Sequence, residues 1–403
     1  MKSQASFSWR IALALLPTVF AYAMLAGDGS SSGLQIQGLA EKTSIKIFSF
    51  ALLLLILPAI VRGTTSEAAL IYFTLGLPIF LFAGLAVFSD DPYFLQAINA
   101  ALFFPIVFCN WAGREQRFYK IFSVIARLMV FQVFIYFIFS DVLDNPWENR
   151  SLVGALGNAN SFSLFCMASF CWLSIVEKKY FLAAVCLAGV VLSGSLAALI
   201  ITGFVTLFAM RVDRALLLIA TAVGAITIFT LVGEEPDIRA VLHAFAKMQA
   251  LLIYLLEGDA TGSMSVLGRV EFLVNGLTMM SQDPASILWG HPGGVLMYTG
   301  DSYVTAILVT HGAIVLFMFS MSLAAVVYKG LTDRDCVTKF CGALTLAVLL
   351  YMLSNRILDY YPAALLLYAP LGYIVSKKYL KKSAKSRPAE ARRQIAEEDI
   401  GIP

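Results

Sequence analysis

The stretch YFLAAVCLAGVVLSGSLAALIITGFVTLFAM, from Tyr180 to Met210, contains no charged residue. Its one cluster of polar residues, Ser193-Gly194-Ser195, divides it into two apolar halves. Helices on the surface of soluble proteins carry a polar face, so a run of this composition is typical of a buried or membrane-spanning segment. Small residues at the break favour a tight turn. The sequence therefore predicts a hairpin of two short membrane helices, 180–193 and 195–210.

The rest of the chain has the same character. Hydrophobic residues make up 59% of its 403 residues and charged residues only 14%, whereas soluble domains carry about 25% charged residues. This composition excludes an ordinary soluble enzyme, a disordered chain and a disulfide-rich secreted fold. We predict an all-α polytopic membrane protein of about 12 transmembrane helices within residues 1–376. The predicted spans are 9–27, 44–61, 67–88, 93–110, 118–140, 151–176, 180–193, 195–210, 214–232, 302–327, 337–354 and 359–376.

Lysine and arginine predict the orientation, because cytoplasmic loops are enriched in both. With the N-terminus inside, the inner loops and the tail hold 21 of the 29 lysines and arginines, and the outer loops hold seven. Both termini are therefore predicted to be cytoplasmic. The tail, 377–403, begins with a basic run that is typical of segments bound to anionic lipid.

One outer loop, 233–301, is far longer than the others. A transporter has little need of such a segment, whereas an enzyme working on the outer face needs a place to build its site. Apolar steps of three and four predict a helix over 238–255, and a second short helix is predicted from Gly268 to Met280. After it comes WGHPGG, Trp289 to Gly294, whose glycines allow a ligand or another helix to approach the backbone closely.

Outer-side arginines are the candidate ligands for an anion. Arg150, Arg269 and Arg356 are the strongest candidates, and Arg239 is a weaker one. A guanidinium group is always charged and binds phosphate oxygens in bidentate fashion. Each arginine could instead pair with a nearby acid, because 16 of the 26 acidic residues also lie on the outer side. Together the arginines indicate an anionic ligand such as a lipid-linked diphosphate.

Two amides lie at shallow depth at the start of the sixth span. Asn158 and Asn160 could bind substrate hydroxyls or could form hydrogen bonds with neighbouring helices, because polar groups within a bilayer need partners. Glu271 belongs to the second loop helix and is either a substrate contact or a solvated residue. Arg127 lies within the fifth span, where we expect it to pair internally or to reach the membrane surface.

Three residues are the stronger candidates for proton transfer, whereas we expect the other two candidates, His243 and Glu271, to be solvated. His291 lies in the glycine-rich turn, where an imidazole could titrate near neutral pH. His311 lies about two and a half turns into the tenth span, facing the bundle interior or a wet cavity. Asp301 could act as a base, although Asp301 or Ser302 could equally cap that span. The sequence leaves the choice among the three open.

Known catalytic signatures are missing from the sequence. It contains no Walker loop, no nucleophile elbow and no HExxH or similar metal motif, so ATP hydrolysis and metal-assisted chemistry are disfavoured. The six cysteines show no metal-ligand spacing. We expect no cofactor, no metal and no nucleic-acid partner.

The order of these motifs resembles the O-antigen polymerase and O-antigen ligase membrane proteins. The resemblance covers roughly 150–323, with a weaker part at 355–362. It begins with Arg-x-x-x-Gly-x-x-Gly-Asn-x-Asn from Arg150 to Asn160, which precedes the long outer loop. Its later motifs are Gly268-Arg269, Asp283-Pro284, Gly290-His291-Pro292-Gly293, Asp301-Ser302-Tyr303, Gly312 and Asn355-Arg356.

The resemblance implies a metal-independent glycosyltransferase that acts on undecaprenyl-diphosphate-linked glycans at the periplasmic face of a bacterial inner membrane. Donor, acceptor and bilayer are then its partners, with a chain-length regulator and a flippase as further ones. Ligases carry a histidine followed closely by an asparagine where this chain has Gly300-Asp301-Ser302, so a polymerase is favoured over a ligase. From another class, the alternative is a polysaccharide flippase or small-solute permease, for which paired repeats and mid-membrane charges would be expected.

Overall fold

The computed structural model describes residues 115–138, 159–209, 264–281, 284–291, 302–355 and 363–385, together with a few isolated positions. These ranges are almost entirely helical and contain no β-strand. Their helices are α1 (Glu115–Ile138), α2 (Ala159–Cys171), α3 (Tyr180–Leu192), α4 (Leu196–Ala209), α5 (Met264–Ser281), α6 (Pro284–Trp289), α7 (Tyr303–Thr332), α8 (Cys336–Met352) and α9 (Leu365–Lys385).

The hairpin predicted at Ser193-Gly194-Ser195 is confirmed. Helix α3 ends at Leu192, Gly194 turns the chain with a φ of 64°, and α4 begins at Leu196. Within the described residues, three helical segments are long and apolar enough to cross a bilayer by length and composition alone, namely Glu115–Ile135, Ala159–Val176 and Tyr303–Thr332. Apart from Val107, the spans predicted before residue 111 and at 214–232 lie outside the described residues, so the number twelve stays a prediction.

Helix α2 is the centre of the described bundle. Every residue from 161 to 171 is buried, and the helix packs against α1, α3, α4 and α8. Gly189 of α3 permits the close approach, since a Cβ there would lie 2.7 Å from Val133 and 2.9 Å from Cys166. Small residues at such contacts are typical of membrane helices, which associate mainly through van der Waals packing. A π-helical turn, Trp172–Val176, continues α2 to Glu177.

Helix α7 is broken inside. Gly312 has a φ of 82° and a ψ of 175°, a backbone conformation that is essentially restricted to glycine. The segments on the two sides differ in environment: most residues of 303–312 are buried, whereas 313–332 exposes Phe317, Met321 and Tyr328. The prediction of a single continuous span at 302–327 is therefore wrong, because the helix is interrupted at Gly312.

The break turns the first segment of α7 back across the bundle. Gly330 packs against Gly342 of α8, where an added Cβ would lie 2.4 Å from the Gly342 Cα, and Ser302 donates to the Met352 carbonyl at 3.4 Å. A straight helix would place Ser302 about 42 Å from Gly330, whereas Met352 is only about 15 Å along α8 from Gly342. Both contacts can form only because segment 303–311 folds back at Gly312.

The opposite end of the bundle is closed by an ion cluster. Lys377 of α9 lies 2.8 Å from Asp335 and 3.5 Å from Asp333, in the loop that joins α7 to α8. Asp335 also caps α8 by accepting from the Thr338 backbone N–H at 3.1 Å. Burial raises the pKa of Asp335, but hydrogen bonds from Lys377 and Thr338 outweigh it and hold the pKa below its ordinary value. Because α9 is helical to Lys385, the predicted tail begins as helix and its first lysine binds protein carboxylates.

Candidate functional site

A network of buried and part-buried polar side chains joins α2, α4 and α8 at one end of the bundle, and we call this end the outer end. The Asn160 side chain of α2 donates to Asn355 Oδ1 at 2.9 Å, just beyond α8. Ser195, at the start of α4, donates to Asn160 Oδ1 at 2.9 Å. Ser163 contacts the Tyr351 hydroxyl at 2.6 Å. The Asn160 amide therefore bonds to neighbouring helices, which is one of the two roles predicted for it.

Ser302 brings α7 to the same end. Its hydroxyl accepts from the Thr305 backbone N–H at 3.1 Å and donates to the Met352 carbonyl. Ser302 is therefore the N-cap of α7, and the capping role that the sequence left open between Asp301 and Ser302 belongs to Ser302. The outer end thus consists of the starts of α2, α4 and α7 and the end of α8.

We predict that Asn160 and Asn355 are energetically coupled. Replacing either by alanine leaves the partner amide short of one hydrogen bond, so each single variant should be destabilised, and the double variant by less than the sum. Interhelical hydrogen bonds in membranes contribute about 0.6 kcal/mol on average and about 1.7 kcal/mol at most. A double-mutant cycle on thermal unfolding midpoints in detergent measures the coupling. Strict additivity would contradict a direct contact.

His311 lies immediately before the break and is 7% exposed. Its Nδ1 is 2.5 Å from the Thr310 hydroxyl, which donates its single hydrogen to the Ala306 carbonyl at 2.6 Å. Thr310 must then accept from His311, which places the imidazole proton on Nδ1. Nε2 of the neutral ring therefore carries the lone pair, as a proton acceptor requires.

The glycine-rich turn containing His291 docks on this break. The His291 backbone N–H donates to the Val309 carbonyl at 2.7 Å. A Cβ added to Gly290 would lie 2.4 Å from the Thr310 carbonyl, and one added to Gly312 would lie 2.1 Å from the Leu288 carbonyl oxygen. A side chain at either glycine would therefore collide with the facing backbone. Gly290, the described glycine of the predicted turn, thus serves helix-to-helix contact, and the structure brings the backbones of His291 and His311 together.

Most of the remaining predicted site residues lie outside the described part of the chain. Arg150, Asn158, Asp301 and Arg356 lie outside the described residues, and of Arg269 only the backbone, within α5, is described. Glu271 is exposed on α5. Described residues within two positions of four of these residues lie at the outer end: Leu152, Ala159, Ser302 and Asn355.

A charged cluster around Glu177 was missed by the sequence reasoning. The Glu177 side chain is 1% exposed and lies 2.9 Å from Lys179 and 3.5 Å from Arg127. Ser123 donates to it at 2.5 Å and the Trp172 indole at 3.0 Å. The internal pairing expected for Arg127 is therefore confirmed. The π-helical turn before Glu177 leaves no recognisable sequence signal, which explains why the cluster was missed.

Comparison with known proteins gave no match, either to a protein-family model or to a curated protein sequence.

Proposed function

We propose that this protein is a polymerase of undecaprenyl-diphosphate-linked glycan, joining repeat units of O-antigen or a related exopolysaccharide at the periplasmic face of a bacterial inner membrane. The observation that supports it best is the outer end, where residues flanking four of the predicted substrate or catalytic positions lie together. His311 and the His291 turn meet at the break of α7. The motif order described above supplies the reaction class.

The reaction would be a metal-independent glycosyl transfer. A hydroxyl of the acceptor sugar forms a bond to C1 of the donor glycan while the bond from C1 to the diphosphate oxygen breaks. Undecaprenyl diphosphate leaves with the electron pair, and Arg150, Arg269 and Arg356 would stabilise the charge that develops on it. The hydroxyl proton passes to a base, for which His311 Nε2, His291 and Asp301 remain the candidates.

Arginine replacement tests the proposal in a host strain whose own copy is deleted. Arg150→Ala, Arg269→Ala and Arg356→Ala should each shorten or abolish the lipopolysaccharide ladder, and lysine at the same positions should restore it only partly, because an ammonium group cannot bind a diphosphate in bidentate fashion. Arg334→Ala is the matched control, since Arg334 is exposed near Asp335 at the other end of the bundle. Immunoblots of membranes confirm equal protein levels.

The ladder also separates the rival enzymes. Loss of a polymerase leaves single-repeat molecules attached to the lipid A core, whereas loss of a ligase removes even those. An unchanged ladder for all three alanine variants would overturn the proposal.

A flippase or permease is the second candidate, and one observation favours it. Discontinuous helices such as α7 form substrate sites in many transporters. If the protein is a transporter of the lipid-linked unit, its deletion should leave unpolymerised repeat units on the cytoplasmic side of the membrane. If it is a polymerase, its deletion should leave them on the periplasmic side, where externally added glycosidase can reach them in spheroplasts.

A further inference from the structure

Helix α5 presents three different strips around its axis. Met280 and Gly276 form the buried strip, and α5 packs against α6 and α7. At about 100° per residue, the exposed remainder divides into an apolar and a polar strip. The apolar strip consists of Leu273, Val274 and Leu277, and the polar strip of Glu271, Asn275 and Thr278.

This arrangement differs from that of a helix in a soluble loop. A two-sided helix needs one apolar face for protein and one polar face for water. Here the protein already occupies the buried strip, so a second apolar strip requires a further apolar environment. The polar strip beside it shows that the same helix also reaches water.

Helix α6 continues the apolar surface. Ile287, Leu288 and Trp289 are all exposed, and Trp289 is the most exposed of them at 69%. The backbone at Leu288 and Trp289 lies against Gly312 of α7. Tryptophan is enriched where a membrane meets water.

The exposed apolar surface of α7 begins just after Gly312, the residue on which α6 packs. Ile314, Phe317, Met318 and Met321 are exposed and follow helical spacing along segment 313–332. This segment has about the 30 Å length of a bilayer hydrocarbon core. If this segment crosses the core, Gly312 lies at one boundary of it, and α6, packed on Gly312, lies at the same boundary.

We propose that α5 and α6 lie in the outer leaflet of the membrane, with Leu273, Val274, Leu277, Ile287, Leu288 and Trp289 inserted among the lipids. The surface is continuous with the lipid-facing side of α7, and the polar strip of α5 faces water. This part of the long loop is thus a membrane-embedded element. The inference rests on exposure and packing and not on the proposed glycosyl transfer.

Site-directed spin labelling tests it on the full chain in phosphatidylethanolamine–phosphatidylglycerol vesicles. The parent carries Cys336→Ser, because Cys336 is exposed whereas Cys166, Cys171, Cys186 and Cys341 are buried, and the labelled parent gives the background signal. Nitroxides are attached at Val274→Cys, Leu277→Cys and Leu288→Cys. Glu271→Cys and Asn275→Cys, from the polar strip of the same helix, are the matched controls.

Relaxation by oxygen and by a water-soluble nickel chelate gives the result. We expect the ratio of oxygen-induced to nickel-induced relaxation to be several-fold higher at the three apolar sites than at the controls. This ratio should correspond to label depths of about 5–10 Å below the headgroups. Nickel-dominated relaxation at these sites would place the strip in water. Low access to both reagents would show that protein, such as a second copy of the chain, covers it. Either outcome overturns the proposal, and three sites allow for one variant that fails to fold.

Discussion

Gly312→Ala is expected to prevent most of the protein from reaching its native fold. The φ of 82° would be strained for any side chain, and the added Cβ would lie 2.1 Å from the Leu288 carbonyl oxygen. Backbone strain of this kind costs about 1–3 kcal/mol and overpacking about 1–3 kcal/mol, or about 2–6 kcal/mol together. Size-exclusion profiles and thermal unfolding midpoints of the purified protein measure the loss.

Gly203→Ala is the matched control. Gly203 lies within α4, and no heavy atom comes within 4 Å of a Cβ added there, so the substitution should be neutral or should stabilise the helix by up to about 1 kcal/mol. Gly290→Ala should share the defect of Gly312→Ala, because its Cβ would meet the Thr310 backbone at 2.4 Å. A Gly312→Ala protein as stable as Gly203→Ala would disprove the docking of α6 on the break.

Glu177→Gln is expected to have the second largest effect, a destabilisation of about 1–3 kcal/mol. In the wild type, two cations and two neutral donors converge on the Glu177 carboxylate, and the Glu177 side chain is 1% exposed. The neutral glutamine amide cannot satisfy all four. The loss stays below the 3–5 kcal/mol of a fully buried pair, because Arg127 and Lys179 are half-exposed and can be rehydrated. Glu257→Gln, at an exposed position, is the control.

We also predict that Glu177→Gln changes how thermal stability depends on pH. Burial raises the pKa of Glu177, but hydrogen bonds from Ser123, Lys179 and Trp172 and the charge of Arg127 outweigh it, so the pKa lies below its ordinary value. A carboxyl with a lowered folded-state pKa contributes its full stability above the ordinary pKa and loses it as the pH falls through the lowered one. Between neutral and acidic pH, the wild type should therefore lose more thermal stability than Glu177→Gln. Parallel curves would refute this role.

Local composition was enough to predict much of the helical architecture. The charge-free stretch from Tyr180 to Met210 predicted two helices and their turn, and the structure confirms both. The helix predicted from Gly268 to Met280 lies within α5. These predictions succeed because a long apolar segment must form its backbone hydrogen bonds internally, and a helix does so within a single stretch of chain.

The candidate site was predicted only in part. His291 and His311 were identified from their surroundings in the sequence, and the structure brings their backbones together. Asn355 and Ser195 were noted only as part of a motif and of a turn, and nothing local indicates that both bond to Asn160. The hydrogen bond between Asn160 and Asn355 joins residues 195 positions apart, and nothing in either segment indicates the other.

The sequence by itself determined which segments are apolar helices, because hydropathy is a property of each stretch of chain alone. Only the tertiary structure decided that α7 breaks at Gly312 and that Glu177 gathers Arg127 and Lys179. Membrane helices associate through close packing and polar contacts rather than through a hydrophobic difference from their surroundings. Their partners are therefore selected by the shapes and hydrogen-bonding groups of distant segments, which become neighbours only in the folded protein.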